Sequence, residues 1–207
     1  VVTVITQVRV NIDDPAFSRP TKPIGSFMMK ETAEERSEAL GWTVLEDSDR
    51  GWRRVVPSPF PVEIIEMDAI RTLTQAGYIV VTCGGGGIPV VEHVNGKLRG
   101  VEAVIDKDFA SSLLARHLGT DLFVISTAVE KVAINYQMPD QQWLDEIKLS
   151  EVRRRHSEGH FASGSMGPKI EAMIQFIEAG GKHGLVTDPP NLGRALKGES
   201  GTHFMPD

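Results

Sequence analysis

The sequence has a single cysteine, few aromatic residues and no long apolar run, and these shortages exclude several classes of protein. Cys83 alone forms neither a disulfide within the chain nor a cysteine-based metal site, and a lone thiol fits a reducing compartment, so we expect a cytoplasmic protein. No apolar run approaches the ~20 residues of a membrane-spanning helix, so we expect no membrane partner. The formal net charge of -6 argues against nucleic-acid binding, because phosphate backbones attract basic surfaces.

The order of apolar and glycine-ended segments predicts an α/β fold. Strands alternate with helices, which is typical of a mainly parallel sheet with helices on both faces. The predicted elements are a buried strand over Val1–Val10, a helix over Ile64–Ala76, a strand over Tyr78–Cys83, a helix over Phe109–Leu118, a strand over Leu122–Thr127, a helix over Lys169–Ala179 and a short strand over Leu185–Thr187.

A different pattern interrupts this alternation between residues 13 and 60. A short helix over Glu31–Leu40 ends at Gly41, and two β-rich runs, Trp42–Leu45 and Trp52–Val56, flank the turn-forming residues 47–51. Prolines at positions 57, 59 and 61 then form a boundary. We therefore predict a small protruding subdomain with its own hairpin, which moves as a lid.

The strongest local signal for chemistry is the glycine run that follows the predicted strand Tyr78–Cys83. Gly84, Gly85, Gly86 and Gly87 leave backbone N–H groups without side chains in the way, at the strand end where open α/β sheets bind ligands. The run is neither a Walker loop nor a dinucleotide fingerprint, since no Gly-Lys-Ser/Thr follows and Pro89 replaces the third glycine. An anion-binding loop and a plain mobile turn are both open at this point.

Charged residues at element ends give further candidates. Asp108, in the triplet Asp106-Lys107-Asp108, either caps a helix or orients lysine ammonium groups. Phosphoryl transfer needs positive charge on the phosphates, and Lys22, Lys131 and Lys169 lie beside prolines, strand ends or glycine turns. We expect Lys131, Lys169 and Asp108 to converge on one phosphate-sized space.

Two histidines have the spacing of a helical metal pair. His156 and His160 are four residues apart, but Gly159 lies between them and no third ligand is evident. We therefore expect solvated surface histidines and no metal ligands from the protein.

Taken together, several segments resemble the carbamate kinase family of amino-acid kinases. The resemblance runs in order over nearly the whole chain, and the Gly-Trp-Arg-Arg-Val-Val-Pro-Ser-Pro run is specific to that family. The matching segments are Pro20–Gly25, Gly51–Pro59, Gly84–Val90, Gly100–Asp108 and Gly159–Met166.

The resemblance implies a three-layer αβα sandwich, usually dimeric, and reversible phosphoryl transfer between carbamoyl phosphate plus ADP and carbamate plus ATP, with Mg²⁺ on the nucleotide. Arginine breakdown is a frequent setting. It implies that Lys22, Lys131, Asp108 and Lys169 are catalytic, that Gly84 to Gly87 bind the carbamoyl end, and that Lys131, Met166 and Lys169 bind nucleotide. Residues 1–12 and 61–98 would belong to the substrate lobe, 13–60 to the lid and 99–207 to the nucleotide lobe.

Two departures from the family pattern bear on activity. The family's first strand and Gly-Gly-Asn loop would lie before Val1, so we expect a truncated chain with negligible activity by itself. Asp188-Pro189-Pro190-Asn191 replaces the family's Ser-Leu-type helix start near the adenine pocket. The alternatives are a related acyl-phosphate kinase for another small carboxylate or carbamate, and a non-catalytic regulatory protein that binds nucleotide.

Overall fold

The computed structural model describes residues 1–47, 50–162 and 164–207. It divides into two compact units, Val1–Ala110 and Ser111–Asp207. Of the sequence-based predictions, the centre of the turn over residues 47–51 (Ser48 and Asp49) and Ser163 within the Gly159–Met166 segment lie outside the described residues. The assignment of lobes and lid to residue ranges remains a prediction.

The first unit contains short strands and two complete helices. Its strands are β1 (Val2–Thr3), β2 (Gln7–Val10), β3 (Lys22–Met28), β4 (Val44–Glu46), β5 (Trp52–Val56), β6 (Pro61–Ile64), β7 (Val80–Val81), β8 (Ile88–Glu92) and β9 (Leu98–Gly100). Its helices are α1 (Lys30–Leu40), α2 (Met67–Gln75) and a 3-10 turn over Pro15–Phe17, and α3 (Lys107–Leu118) begins in this unit and continues into the second.

These strands form three separate sheets. β1 pairs in parallel with β7. β2 lies between β6 and β8 in the order β6-β2-β8-β9, antiparallel to β6 and parallel to β8. The strands of the predicted insert form their own antiparallel sheet in the order β3-β5-β4.

The predictions of one strand over Val1–Val10 and of a buried strand over Tyr78–Cys83 were wrong in part. The chain leaves one sheet after β1 and enters another at β2, so Val1 and Ile5 are exposed although both are apolar. Only Val80–Val81 pairs as a strand in the second region, and Ile79 is exposed. Apolar composition favoured a buried strand, but burial depends on the tertiary context and not on composition alone.

The insert follows its sequence closely. Helix α1 ends at Gly41, whose φ of 66° is left-handed and whose N–H donates to the carbonyl of Ser37. The centre of the Trp42 ring lies 5.4 Å from the guanidinium group of Arg36 on α1 and 4.8 Å from that of Arg54 on β5. These cation–π contacts connect the helix to the sheet.

The second unit is built around one mixed sheet. Its strands are β10 (Phe123–Ser126), β11 (Ala133–Ile134), β12 (Gln142–Trp143), β13 (Glu146–Lys148), β14 (Gly184–Thr187) and β15 (Thr202–Met205), and its helices are α4 (Leu149–Ser157), α5 (Met166–Glu178) and α6 (Leu192–Ala195). The main sheet has the order β10-β14-β15-β13, with β14 parallel to β10 and β15 parallel to β13. The predicted α/β class is confirmed.

Helix α5 supplies the apolar core of this unit. Its side chains Ile170, Met173 and Phe176 are fully buried. The Phe176 ring lies 5.3 Å from that of Phe123 on β10, and a Cβ at Gly181 would come within 2.5 Å of it. Among the described residues, none of the helices combines the length and apolar character needed to span a bilayer.

We expect Phe176→Ala to lower the free energy of unfolding by about 3–5 kcal/mol, because the truncation leaves a cavity beneath α5. Urea unfolding followed by circular dichroism measures the change. Leu196→Ala, which removes an exposed apolar side chain of the same unit, is the matched control and should change stability by less than about 0.5 kcal/mol. Equal losses in both variants would contradict this account of the core.

Candidate active site

The glycine loop, defined here as Gly84–Gly87, begins with a tight turn at Cys83. The N–H of Gly84 donates to the carbonyl of Thr82 over 2.8 Å, and Cys83 between them has a φ of 59°. This is a γ-turn of the rare positive-φ type, which is strained for a residue with a side chain. The loop therefore depends on contacts that hold Cys83 in this conformation.

Two of the four glycine amides are used within the loop region. Gly84 donates to Thr82, and Gly86 donates to the carbonyl of Cys83 over 2.7 Å. In the part of the chain that the structure describes, the amides of Gly85 and Gly87 have no such backbone partner. Of the several backbone amides that the sequence suggested for an anion, two are therefore available at this loop.

Gly86 brings the loop against the start of α3. Its φ is 137°, and a Cβ at this position would lie 2.1 Å from the carbonyl oxygen of Ile105. A cavity of about 490 Å³ lies beside this contact, lined among others by Thr6, Thr82, Cys83, Gly85 and Ile105. The close approach explains why glycine is required there.

The Cys83 side chain forms part of the cavity wall. It is buried, and burial raises the pKa of its thiol above the usual range, with Glu66 adding to the effect and the Thr82 and Thr6 hydroxyls opposing it. The thiol is therefore protonated at neutral pH and a poor nucleophile.

Asp106 connects Lys22 to the first turn of α3. One carboxylate oxygen accepts from the Lys22 ammonium group, and the other accepts from the N–H of Asp108 over 2.8 Å. Burial acts to raise the pKa of Asp106, but the hydrogen bonds from Lys22 and the Asp108 amide outweigh it and hold the pKa below its usual range. The capping role considered for Asp108 thus belongs to Asp106.

Lys107 is a candidate that the sequence prediction passed over. Its Nζ lies 3.1 Å from Oδ1 of Asp108, whose side chain is buried while that of Lys107 is half exposed. Asp108 therefore does orient a lysine, but its partner is the adjacent residue. The alternation of acid and base in Asp106-Lys107-Asp108 was the available signal, and only its second acid was assigned a function.

The remaining predicted residues lie in the second unit. Lys131 follows β10, and its ammonium group pairs with the carboxylate of Asp145. Met166 is the first residue of α5, so Met166–Pro168 belong to the helix and Lys169 lies in its first turns. The convergence of Lys131, Lys169 and Asp108 remains a prediction.

The histidines are less solvated than predicted. His156 Nε2 lies 3.4 Å from a carboxylate oxygen of Glu171, and His160 Nε2 lies 3.2 Å from one of Glu158. Both side chains are half-buried. Across residues 1–47, 50–162 and 164–207, no group of three or more His, Cys, Asp or Glu side chains is placed to hold a metal ion.

Comparison with known proteins defines the class. The amino acid kinase family model matches residues 24–188, so the chain belongs to the amino acid kinase family. It is 52% identical over 204 residues to the carbamate kinase of Clostridium perfringens and 48% identical over 205 residues to that of Thermococcus kodakarensis. These alignments cover 98% and 99% of this chain but 65% of each relative, so the chain spans about two thirds of their length.

Solved structures give the same result. Carbamate kinase from Giardia lamblia bound to AMP-PNP superimposes with a TM-score of 0.88 at 45% identity, and the form bound to citric acid with 0.92 at 44% identity. Each match covers 100% of this chain and 65% of the Giardia chain. The resemblance noted in the sequence is confirmed.

We expect Gly86→Ala to destabilise the first unit by about 2–4 kcal/mol, because the new methyl group meets a main-chain carbonyl and the backbone is in a left-handed region. Gly85→Ala is the matched control, since nothing lies within 4 Å of its added Cβ and its φ is ordinary. Urea unfolding of both variants provides the test. Equal stability would show that the loop does not press against Ile105.

We expect Asp106→Asn to cost about 1–3 kcal/mol of unfolding free energy at pH 7, because the Lys22 ammonium loses its charged partner. Since the folded pKa of Asp106 lies below the unfolded value of ~3.9, its contribution is full above that value and is lost as pH falls through the folded pKa. The difference between wild type and variant should therefore shrink below about pH 4.

The control for this experiment is Asp68→Asn, whose side chain is 98% exposed and pairs with Arg71 at the surface. Urea unfolding at pH 3 to 8 gives both curves. A gap between wild type and Asp106→Asn that stays constant down to pH 3 would contradict the assigned pKa direction.

Proposed function

We propose that the protein is a carbamate kinase, which moves a phosphoryl group from the carbamate oxygen of carbamoyl phosphate to the β-phosphate of ADP, and the reverse. The observation that carries the proposal is the arrangement around the cavity of the first unit. The glycine loop has two available amides. Ile105 lines the cavity, and the residues that directly follow it form the Lys22–Asp106 and Lys107–Asp108 pairs.

The paired lysines suit the charge of this reaction. Carbamoyl phosphate and ADP are both anionic, and the transition state spreads charge over the equatorial oxygens of the moving phosphoryl group. Lys22 and Lys107 supply positive charge, and the buried carboxylates of Asp106 and Asp108 orient them by charge-assisted hydrogen bonds. The amides of Gly85 and Gly87 bind the acyl phosphate end without adding charge.

Nucleotide binding is assigned to the second unit. We place Lys131, Met166 and Lys169 at the ADP and ATP site, and the Giardia carbamate kinase bound to AMP-PNP supports a nucleotide site in this fold. We propose that Mg²⁺ is carried on the nucleotide phosphates. When bound there, Mg²⁺ neutralises phosphate charge.

The remaining parts of the proposal concern the insert and the cellular setting. Residues 13–60 act as a lid that brings Lys22 to the substrate, and the separate β3-β5-β4 sheet supports their treatment as one body. We further propose a cytoplasmic homodimer that works in arginine breakdown.

The test is ATP formation from carbamoyl phosphate and ADP by the complete product of the gene from which this chain comes. Lys107→Ala and Lys22→Ala should each lower turnover by about 10²–10³-fold, because each removes a charge that stabilises the transition state. Lys97→Ala, at an exposed position between β8 and β9, is the matched control and should stay within about twofold of wild type.

Each other outcome points to a different function. Turnover of another acyl phosphate but not carbamoyl phosphate would favour a related acyl-phosphate kinase. Binding of ADP without turnover of any acyl phosphate would favour a regulatory protein. Wild-type activity in Lys107→Ala would contradict the role given to Lys107.

A further inference from the structure

Thr6 contacts the start of the glycine loop through its hydroxyl group. This hydroxyl donates its hydrogen to the carbonyl of Val4 over 2.9 Å, so it serves as an acceptor in its other bonds. It accepts from the backbone N–H of Cys83 over 2.9 Å and lies 2.7 Å from the Thr82 hydroxyl, which must then be the donor. Thr6 is buried, with 4% of its surface exposed.

Thr6 also holds the end of the loop through its main chain. Its carbonyl oxygen accepts from the N–H of Ile88 over 2.8 Å, directly after Gly87. A Cβ added to Gly87 would lie 3.3 Å from the same carbonyl oxygen. One residue thus fastens both ends of the loop, with its side chain at the first end and its backbone at the second.

The side-chain bond falls on the strained residue. Cys83 has a φ of 59° at the centre of the positive-φ γ-turn, a conformation that costs about 1–3 kcal/mol and persists only where surrounding contacts hold it. The bond from the Cys83 N–H to Thr6 is such a contact, and it is supported by the bond from Thr6 to Val4. Removing the hydroxyl would leave the turn free to relax and the two available glycine amides free to shift.

We propose that Thr6 is a positioning residue of the active site, which holds Cys83 in its left-handed conformation so that the amides of Gly85 and Gly87 face the acyl phosphate. The proposal rests on the proposed function for the identity of the ligand. The contacts of Thr6 with both ends of the loop are independent of the proposed function.

Amide hydrogen exchange in the 207-residue chain tests the fastening without any substrate. Thr6→Val keeps the shape of the side chain but removes the acceptor, so exchange at Cys83 should accelerate by about tenfold or more. Exchange at Ile88 should change little, because its acceptor is the backbone of residue 6. Thr6→Ser should restore protection at Cys83, and Thr72→Val, which removes an exposed helix hydroxyl, is the matched control.

Unchanged exchange at Cys83 in Thr6→Val would overturn the proposal. Equal acceleration at Cys83, Ile88 and the buried Val8 would also overturn it, because that pattern reports general loosening of the unit. If Thr6→Val does not fold, Thr6→Ala and Thr6→Ser keep the test open. The amide of Cys83 should then be protected from exchange equally in wild type and Thr6→Ser, and less in Thr6→Ala.

Steady-state kinetics of the complete gene product tests the link to function. Thr6→Val should raise KM for carbamoyl phosphate, or lower kcat/KM for it, by about ten- to a hundredfold, while KM for ADP stays within about twofold. Equal changes for both substrates would overturn the positioning role. A wild-type enzyme that does not use carbamoyl phosphate would overturn the proposed function, and the exchange contrast at Cys83 would still support the fastening by Thr6.

Discussion

The arrangement of the first unit depends on the closeness of two backbones, at Gly86 and at Ile105. A side chain at residue 86 would overlap the Ile105 carbonyl, so the absence of a Cβ lets the glycine loop press directly against the segment that starts α3. This contact places the loop beside Ile105, which lines the cavity and directly precedes Asp106. The loop and the helix start are therefore one structural feature, although they lie some twenty residues apart in the sequence.

The burial of two acidic side chains explains why lysines lie at the start of α3. The protein carries a net charge of -6, yet the proposed site needs cations. Asp106 and Asp108 are buried, and a buried acidic side chain needs a cation or an N–H group beside it. Lys22 contacts one oxygen of Asp106, and Lys107 contacts one oxygen of Asp108. The buried acids thus keep the lysines in place, and an anionic substrate would meet lysines whose positions are already set, at a small cost in side-chain entropy.

Local signals in the sequence predicted the local structure, and tertiary contacts account for the errors. Gly41 ends α1 as predicted, because a left-handed residue is what a helix end requires. The split of Val1–Val10 into two strands could not be predicted, because it depends on β1 pairing with β7 while β2 pairs with β6 and β8. The left-handed Cys83 was likewise hidden, since its stability comes from Thr6, distant in sequence. Lys107 was visible in the sequence, but its pairing with an adjacent buried acid depends on how α3 begins.

The insert is attached at its base to the same segment that forms the cavity wall. Lys22 on β3 and Val56 on β5 are register partners, so the two ends of the insert's sheet lie side by side. Lys22 then binds Asp106, and the carbonyl of Pro57 accepts from the N–H of Val104 over 2.9 Å. Both attachments fall on residues 104–106, next to the Ile105 carbonyl that meets Gly86. A displacement of the insert at its base would therefore move both the cavity wall at Ile105 and the carboxylate of Asp106, which orients Lys22. Because Lys22 is both an attachment of the insert and a proposed ligand of the phosphoryl group, an anion that draws its ammonium group away from Asp106 would remove one of these two attachments.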